Sequence, residues 1–220
     1  MKKLTNFVLS VVMIVALVLF TITFSIGLPI YVREFYYLQI DDFGLEDATG
    51  YTYDEIKTGY DEVLDFLTQP GGEFSAGVFK FSEDGASHFE DCKVLFTLNG
   101  TVLAISSIVI LVLLVLRALK VYNPKMVLRR APRFYSGVAT FTLFAAVGTL
   151  VAIDFDKAFG IFHMIFFPGK DNWMFNPYTD EIILAMPAEF FLNCAILIVV
   201  SIFTLSLLFI ITSLKRKCKR

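Results

Sequence analysis

The chain has 220 residues, of which 56% are hydrophobic and 18% charged, with a mean hydropathy of +0.68 and a formal net charge of -2. These values exclude an ordinary soluble domain and direct attention to the lipid bilayer; no nucleic-acid partner is expected. What carries information is the position of each charge along the chain, because loop Lys and Arg residues set the orientation of a membrane protein.

Residues 7–31 form the first apolar stretch, long enough to cross a bilayer core of about 30 Å. Lys2 and Lys3 precede it. The run exceeds a secretory h-region and lacks a small-x-small cleavage site, so an uncleaved signal anchor is expected. Residues 32–93 follow as a polar segment. Within it, 41–50 is acidic and turn-rich, and Ile56, Tyr60, Val63, Leu64 and Leu67 recur at helical spacing, which predicts an amphipathic helix over 53–68. Pro70-Gly71-Gly72 ends that helix, and the alternation in 77–82 permits a short strand.

Further spans are predicted at 94–116, 134–153 and 182–214, separated by a short loop at 117–133 and a second polar segment at 154–181. Phe155, Phe159, Phe162 and Phe166 in that segment repeat at spacings of four, three and four, predicting a short helix with a greasy face at the membrane interface. Tyr31, Tyr36, Tyr37, Trp173 and Tyr178 suit an aromatic belt. The fold expected is therefore all-α: a single membrane domain of four transmembrane helices with a mixed, mainly helical extracytoplasmic cap.

With the amino terminus inside, 13 of the 19 basic residues fall in the two tails and the 117–133 loop, whereas all 21 acids fall in 32–93 or 154–189. Both termini are thus expected in the cytoplasm, and 32–93 and 154–181 outside. Cys92, Cys194 and Cys218 have no CxxC or metal-type spacing, which counts against a thiol oxidoreductase.

The two histidines of the chain, His88 and His163, occupy different outer segments, each close to a helix end. If the second span extends outward, Asp91 lies one turn from His88, where a carboxylate orients an imidazole for general-base work. Each histidine has the plainer reading of a satisfied interfacial polar residue. Cys92 could serve as a nucleophile, though packing is its simpler role. Arg33 and Lys93, at outer helix ends, either snorkel to the interface or bind lipid phosphate and support an oxyanion. No nucleophile elbow, HExxH or phosphate loop is present.

Three elements resemble a known bacterial membrane family. They are His88-Phe89-Glu90-Asp91-Cys92-Lys93 before the second span, Phe162-His163-Met164-Ile165-Phe166-Phe167 with Gly169, Trp173 and Phe175 behind it, and Pro187-Ala188-Glu189-Phe190-Phe191 near the fourth. Their order and the four-helix plan resemble the lipoprotein intramolecular transacylases (Lit) over essentially the whole chain. The resemblance implies a multi-pass protein of the bacterial plasma membrane that acts on diacylglyceryl-modified lipoproteins. One acyl chain moves from the glyceryl ester to the α-amino group of the substrate's terminal cysteine, giving the lyso form, with no cofactor and no metal. On this basis His88, His163 and Asp91 are the expected catalytic residues, either histidine serving as base. Arg33, Lys93, Phe159, Phe162, Phe166 and Trp173 are the expected substrate-binding residues.

Two other classes compete. A non-catalytic subunit or receptor would dock a partner on the acidic outer surface, and would tolerate loss of both histidines. A metal site could draw on His88, His163 and Asp91, although the spacing carries no metal signature.

Overall fold

The computed structural model describes residues 2–124 and 130–214. Lys125, Arg129, Cys218 and the basic residues of 215–220 therefore lie outside the described residues. In chain order the described helices are α1 (Lys2–Tyr31), α2 (Glu34–Ile40), α3 (Leu45–Thr49), α4 (Tyr53–Thr68), α5 (Glu83–Ala118), α6 (Pro132–Ile153), α7 (Phe155–Phe166), α8 (Ile182–Ala185) and α9 (Ala188–Leu214). Four of them, α1, α5, α6 and α9, are long and apolar enough to cross a membrane. Their exposed faces carry large apolar side chains such as Val94, Ile108, Leu111 and Val200, as lipid-facing helices require.

Two expectations are corrected, and the second span is found to continue outward as helix. The second apolar helix begins at Glu83, because nothing between Glu83 and Val94 interrupts the turn-by-turn hydrogen bonding. Its 36 residues extend for about 54 Å, well beyond a hydrocarbon core of about 30 Å. The stretch 182–214 is two helices, since Pro187 has no N–H to donate and disfavours helical backbone at Met186. Residues 77–82 form a turn and irregular backbone and not a strand: Gly77 takes a left-handed φ of 60°, and the Phe79 N–H donates to the Ala76 carbonyl.

The chain divides into two compact units, residues 1–27, 99–149 and 197–220, and residues 28–98 and 150–196. In the first, polar side chains tie apolar helices together. Thr140 and Ser206 share a hydrogen bond of 2.6 Å, and Asn99 Nδ2 donates to the Thr23 carbonyl. Gly137 lets α6 approach the Ser206 carbonyl; a Cβ there would come within 2.6 Å of it. Arg133 donates to Ser213 Oγ and to the Thr212 carbonyl near the end of α9, the latter a group that a helix C-terminus leaves free.

The second unit packs its helices around an aromatic core. Tyr36 stacks on Tyr60 at 3.7 Å between ring centroids, meets Phe190 edge-on at 5.2 Å, and donates its hydroxyl proton to the Ala185 carbonyl. The stripe Ile56, Tyr60, Val63, Leu64 and Leu67 of α4 is buried, as its period predicts. Thr52 and Glu55 close a reciprocal capping box at the start of α4. The segment after α4 is fastened to the one before α8: Asp180 accepts from Ser82 N and Oγ, and Glu181 accepts from Lys80 N and Nζ.

Candidate functional site

The site is built at the start of α5. Glu83, Asp84, Glu90, Asp91 and Lys93 crowd this end of the helix, and a hydrocarbon layer does not accommodate so many charges, so Glu83–Lys93 stands outside it. His88 and Cys92, four residues apart, share one face. That face turns inward: His88 is 6% exposed, with its Nε2 3.4 Å from Cys92 Sγ. Around the imidazole stand Phe167 and Phe175, ring centroids 5.0 and 5.5 Å away, and then His163 at 5.7 Å with its plane inclined by 35°.

His163 comes from α7, which begins where Asp154 accepts the Lys157 N–H at 2.9 Å. The residue is 5% exposed although it lies on a greasy helix, whose Met164, Ile165 and Phe166 face outward. Its Nδ1 is 2.8 Å from the Phe159 carbonyl. A carbonyl only accepts, so Nδ1 carries the proton and Nε2 holds a free lone pair. Trp173 stacks on the ring at 4.3 Å and 23°, held by its own indole N–H donating to the Lys170 carbonyl. Phe159 lies 4.3 Å away and Phe162 5.3 Å away, completing a collar of rings.

This enclosure disfavours charge. Burial lowers the His88 pKa to about 4, with neighbouring His163 and Lys170 acting the same way and Asp91 opposing them. Burial also lowers His163 below 6.5, against the pull of the Phe159 carbonyl. Both imidazoles are therefore neutral at pH 7, the state in which an imidazole can accept a proton. Burial pushes the Cys92 thiol up to about 12, which leaves it protonated.

The remaining expected residues divide. Phe159, Phe162 and Trp173 touch His163 directly, whereas the nearest ring to Phe166 is Phe162 at 4.7 Å. Asp91 accepts from Lys170 Nζ at 2.5 and 2.7 Å and from Asn172 Nδ2 at 3.3 Å, so it reaches His88 through its field and not through a hydrogen bond. Arg33 pairs with Asp61 and Asp65, and Lys93 donates to the Gly71 carbonyl while lying over the Phe66 ring. Both cations thus have partners within their own unit.

Three further groups belong to the same cluster. Cys92, whose simpler role in the sequence is packing, lies one turn after His88, the spacing that brings its sulfur to the imidazole. Lys170 and Asn172 organise Asp91 from a distant segment, and no local pattern reveals that. Asn172 has its Nδ2 turned to a carboxylate that only accepts, so its buried Oδ1, which has no partner, is an open acceptor. Among the described residues no cluster of three His, Cys, Asp or Glu groups is arranged to hold a metal ion. An apolar groove of about 340 Å³ opens beside Phe159, lined also by Phe155, Leu184, Pro187 and Phe191.

A family profile described as lipoprotein intramolecular transacylase Lit matches residues 11–191. Among solved structures, the membrane-integral lipoprotein intramolecular transacylase Lit from Bacillus cereus superimposes with a TM-score of 0.85 at 26% identity, over 98% of this chain and 96% of that one. A histidine-to-arginine variant of the same protein gives 0.78 at 25% identity, over 98% and 95% of the two chains. A histidine-to-alanine variant gives 0.79 at 24% identity over 100% and 98%, a likeness of fold. No curated protein sequence matches the chain.

Proposed function

The chain belongs to the Lit family of lipoprotein intramolecular transacylases, membrane acyltransferases, and we propose that its reaction centre is the His88–His163 pair in the aromatic enclosure. The substrate is a lipoprotein whose terminal cysteine carries a diacylglyceryl thioether. Its α-amino nitrogen attacks a glyceryl ester carbonyl, a C–N bond forms as the ester C–O bond breaks, and the released glyceryl oxygen takes up the proton the amine gives up. Nucleophile and electrophile belong to one molecule, so holding them together supplies much of the acceleration; effective molarities reach about 10⁵ M or more for well-oriented pairs.

The observation that carries this assignment is the pair itself: two buried, neutral imidazoles 5.7 Å apart, drawn from separate segments into one collar of rings. His163, with Nδ1–H donated to Phe159, offers Nε2 as the base that takes the amine proton and returns it to the leaving oxygen. His88 supports the tetrahedral oxyanion. The open acceptor on Asn172 receives an N–H of the α-amino group, with Asp91 behind it favouring positive charge there. The groove beside Phe159 holds an acyl chain, and the rings keep water from the tetrahedral intermediate.

The Lys and Arg distribution supports an orientation with both termini in the cytoplasm and this site on the outer side of the bacterial plasma membrane. The test is mass spectrometry of a reporter lipoprotein's terminal lipopeptide, in cells lacking other lipoprotein N-acylating enzymes. Conversion to an isobaric species with one acyl chain on the amine is expected. Unchanged conversion in both His88→Ala and His163→Ala variants would remove the chemical basis of the assignment.

A further inference from the structure

His88 presents two ring nitrogens in two different settings. Nε2 faces the Cys92 sulfur at 3.4 Å, and Nδ1 is buried without a partner. A neutral imidazole carries one proton, so the group that occupies Nε2 decides what Nδ1 can do. Two arrangements fit the contact: the thiol donates to an unprotonated Nε2, or Nε2–H donates to sulfur. A thiol is a weak donor and sulfur a weak acceptor, whereas an unprotonated imidazole nitrogen is a strong acceptor. The first arrangement therefore wins wherever the thiol keeps its proton, and burial ensures that it does.

We infer that Cys92 is a positioning residue of the transacylation site: its S–H holds His88 in the Nδ1–H tautomer, making the buried Nδ1 a hydrogen-bond donor to the substrate's ester oxygen. This rests on the function proposed above. The two histidines then divide the work without exchanging a proton directly. Phe159 fixes His163 as the proton acceptor, and Cys92 fixes His88 as the donor. Cys92 forms no bond to the acyl group; its proton stays on sulfur throughout, and the tetrahedral oxygen meets an N–H in place before the charge develops. The assignment also accounts for the unpartnered Nδ1, a cost that a purely structural histidine has no reason to carry.

Because the chain contains only two histidines, ¹⁵N-histidine labelling of the full-length protein in lipid bilayers gives four ring-nitrogen signals, assigned with a His163→Gln variant. At pH 7.5 the expected result is a protonated Nδ1 and an unprotonated Nε2 on His88. Cys92→Ala should move the proton to Nε2, the form favoured in water, and lower the turnover number about tenfold with little change in KM. Cys92→Ser, which keeps a donor at that place, should restore the wild-type tautomer and most of the rate. A wild-type His88 with its proton on Nε2 overturns the proposal, with no variant needed. So does a tautomer unmoved by Cys92→Ala. Loss of this assignment while both histidines remain essential leaves the transacylase site standing; intact migration without the histidines removes the site whatever the tautomer.

Discussion

The His163 imidazole lies flat against the Trp173 indole, ring centroids 4.3 Å apart and planes within 23°, and the indole is held in turn by the Lys170 carbonyl. The imidazole proposed as the base is thus held by a residue ten positions further along the chain. Replacing Trp173 with alanine removes the stack and opens the enclosure to water. Aromatic stacking of this kind contributes about 0.5–1.5 kcal/mol, so turnover should fall about two- to tenfold, and Trp173→Phe should recover most of it. Lipopeptide mass spectrometry over a time course reads both rates.

His88→Ala and His163→Ala should each slow acyl migration by about 10²-fold or more while the protein stays folded and in the membrane. Their double variant should be scarcely slower than either single one, because the groups act on one transition state as a unit. Two losses that multiply independently would mean the histidines do not share a site.

Asp91 and Lys170 are joined by a close ion pair, with the carboxylate mostly shielded and the ammonium half-exposed. The pair anchors the segment that carries Asn172 and Trp173. Asp91→Asn and Lys170→Met should each slow turnover, and the double variant should show a coupling of about 1 kcal/mol. A double-mutant cycle on initial rates measures it, and coupling should weaken as salt is raised.

Both histidines have their pKa values lowered by burial, so the folded protein resists protons that the unfolded chain accepts near 6.5. The stability tied to them is complete above about pH 6.5 and is lost as pH falls through the folded values, for His88 about 4. The melting temperature in detergent should be level above neutrality and decline between about pH 6.5 and 4.5, and His88→Gln should flatten that decline. A wild-type profile that stays level to pH 4.5 would contradict the burial seen here.

Gly85 sits on α5 one turn before His88, where a Cβ would run into the Asp180 carboxylate that binds Ser82. Gly85→Ala should therefore destabilise by about 1–3 kcal/mol despite its better helix propensity. Thermal unfolding in detergent checks the sign.

Much of the architecture was legible because its causes are local. Length and polarity of the runs announce four spanning helices, and the spacing of Phe155, Phe159, Phe162 and Phe166 places α7 where it forms. The elements around His88 and His163 carry the resemblance to the family whose profile matches residues 11–191. Pro187 and Gly77 were visible too, yet their effect on 182–214 and 77–82 depended on how the backbone resolved those points.

The sequence by itself determined that this protein lives in a bilayer, how many helices cross it and which two imidazoles were available for chemistry, since hydrophobic length and residue identity need no partner to be read. Only the tertiary structure decided what each group touches. It paired Asp91 with Lys170 in place of His88, held Arg33 on Asp61 and Asp65, and set Cys92 and Phe159 against one nitrogen of each histidine. The physical reason is that hydrogen bonds and ion pairs act over about 3 Å, and such distances between remote segments exist only once the cap has packed around its rings.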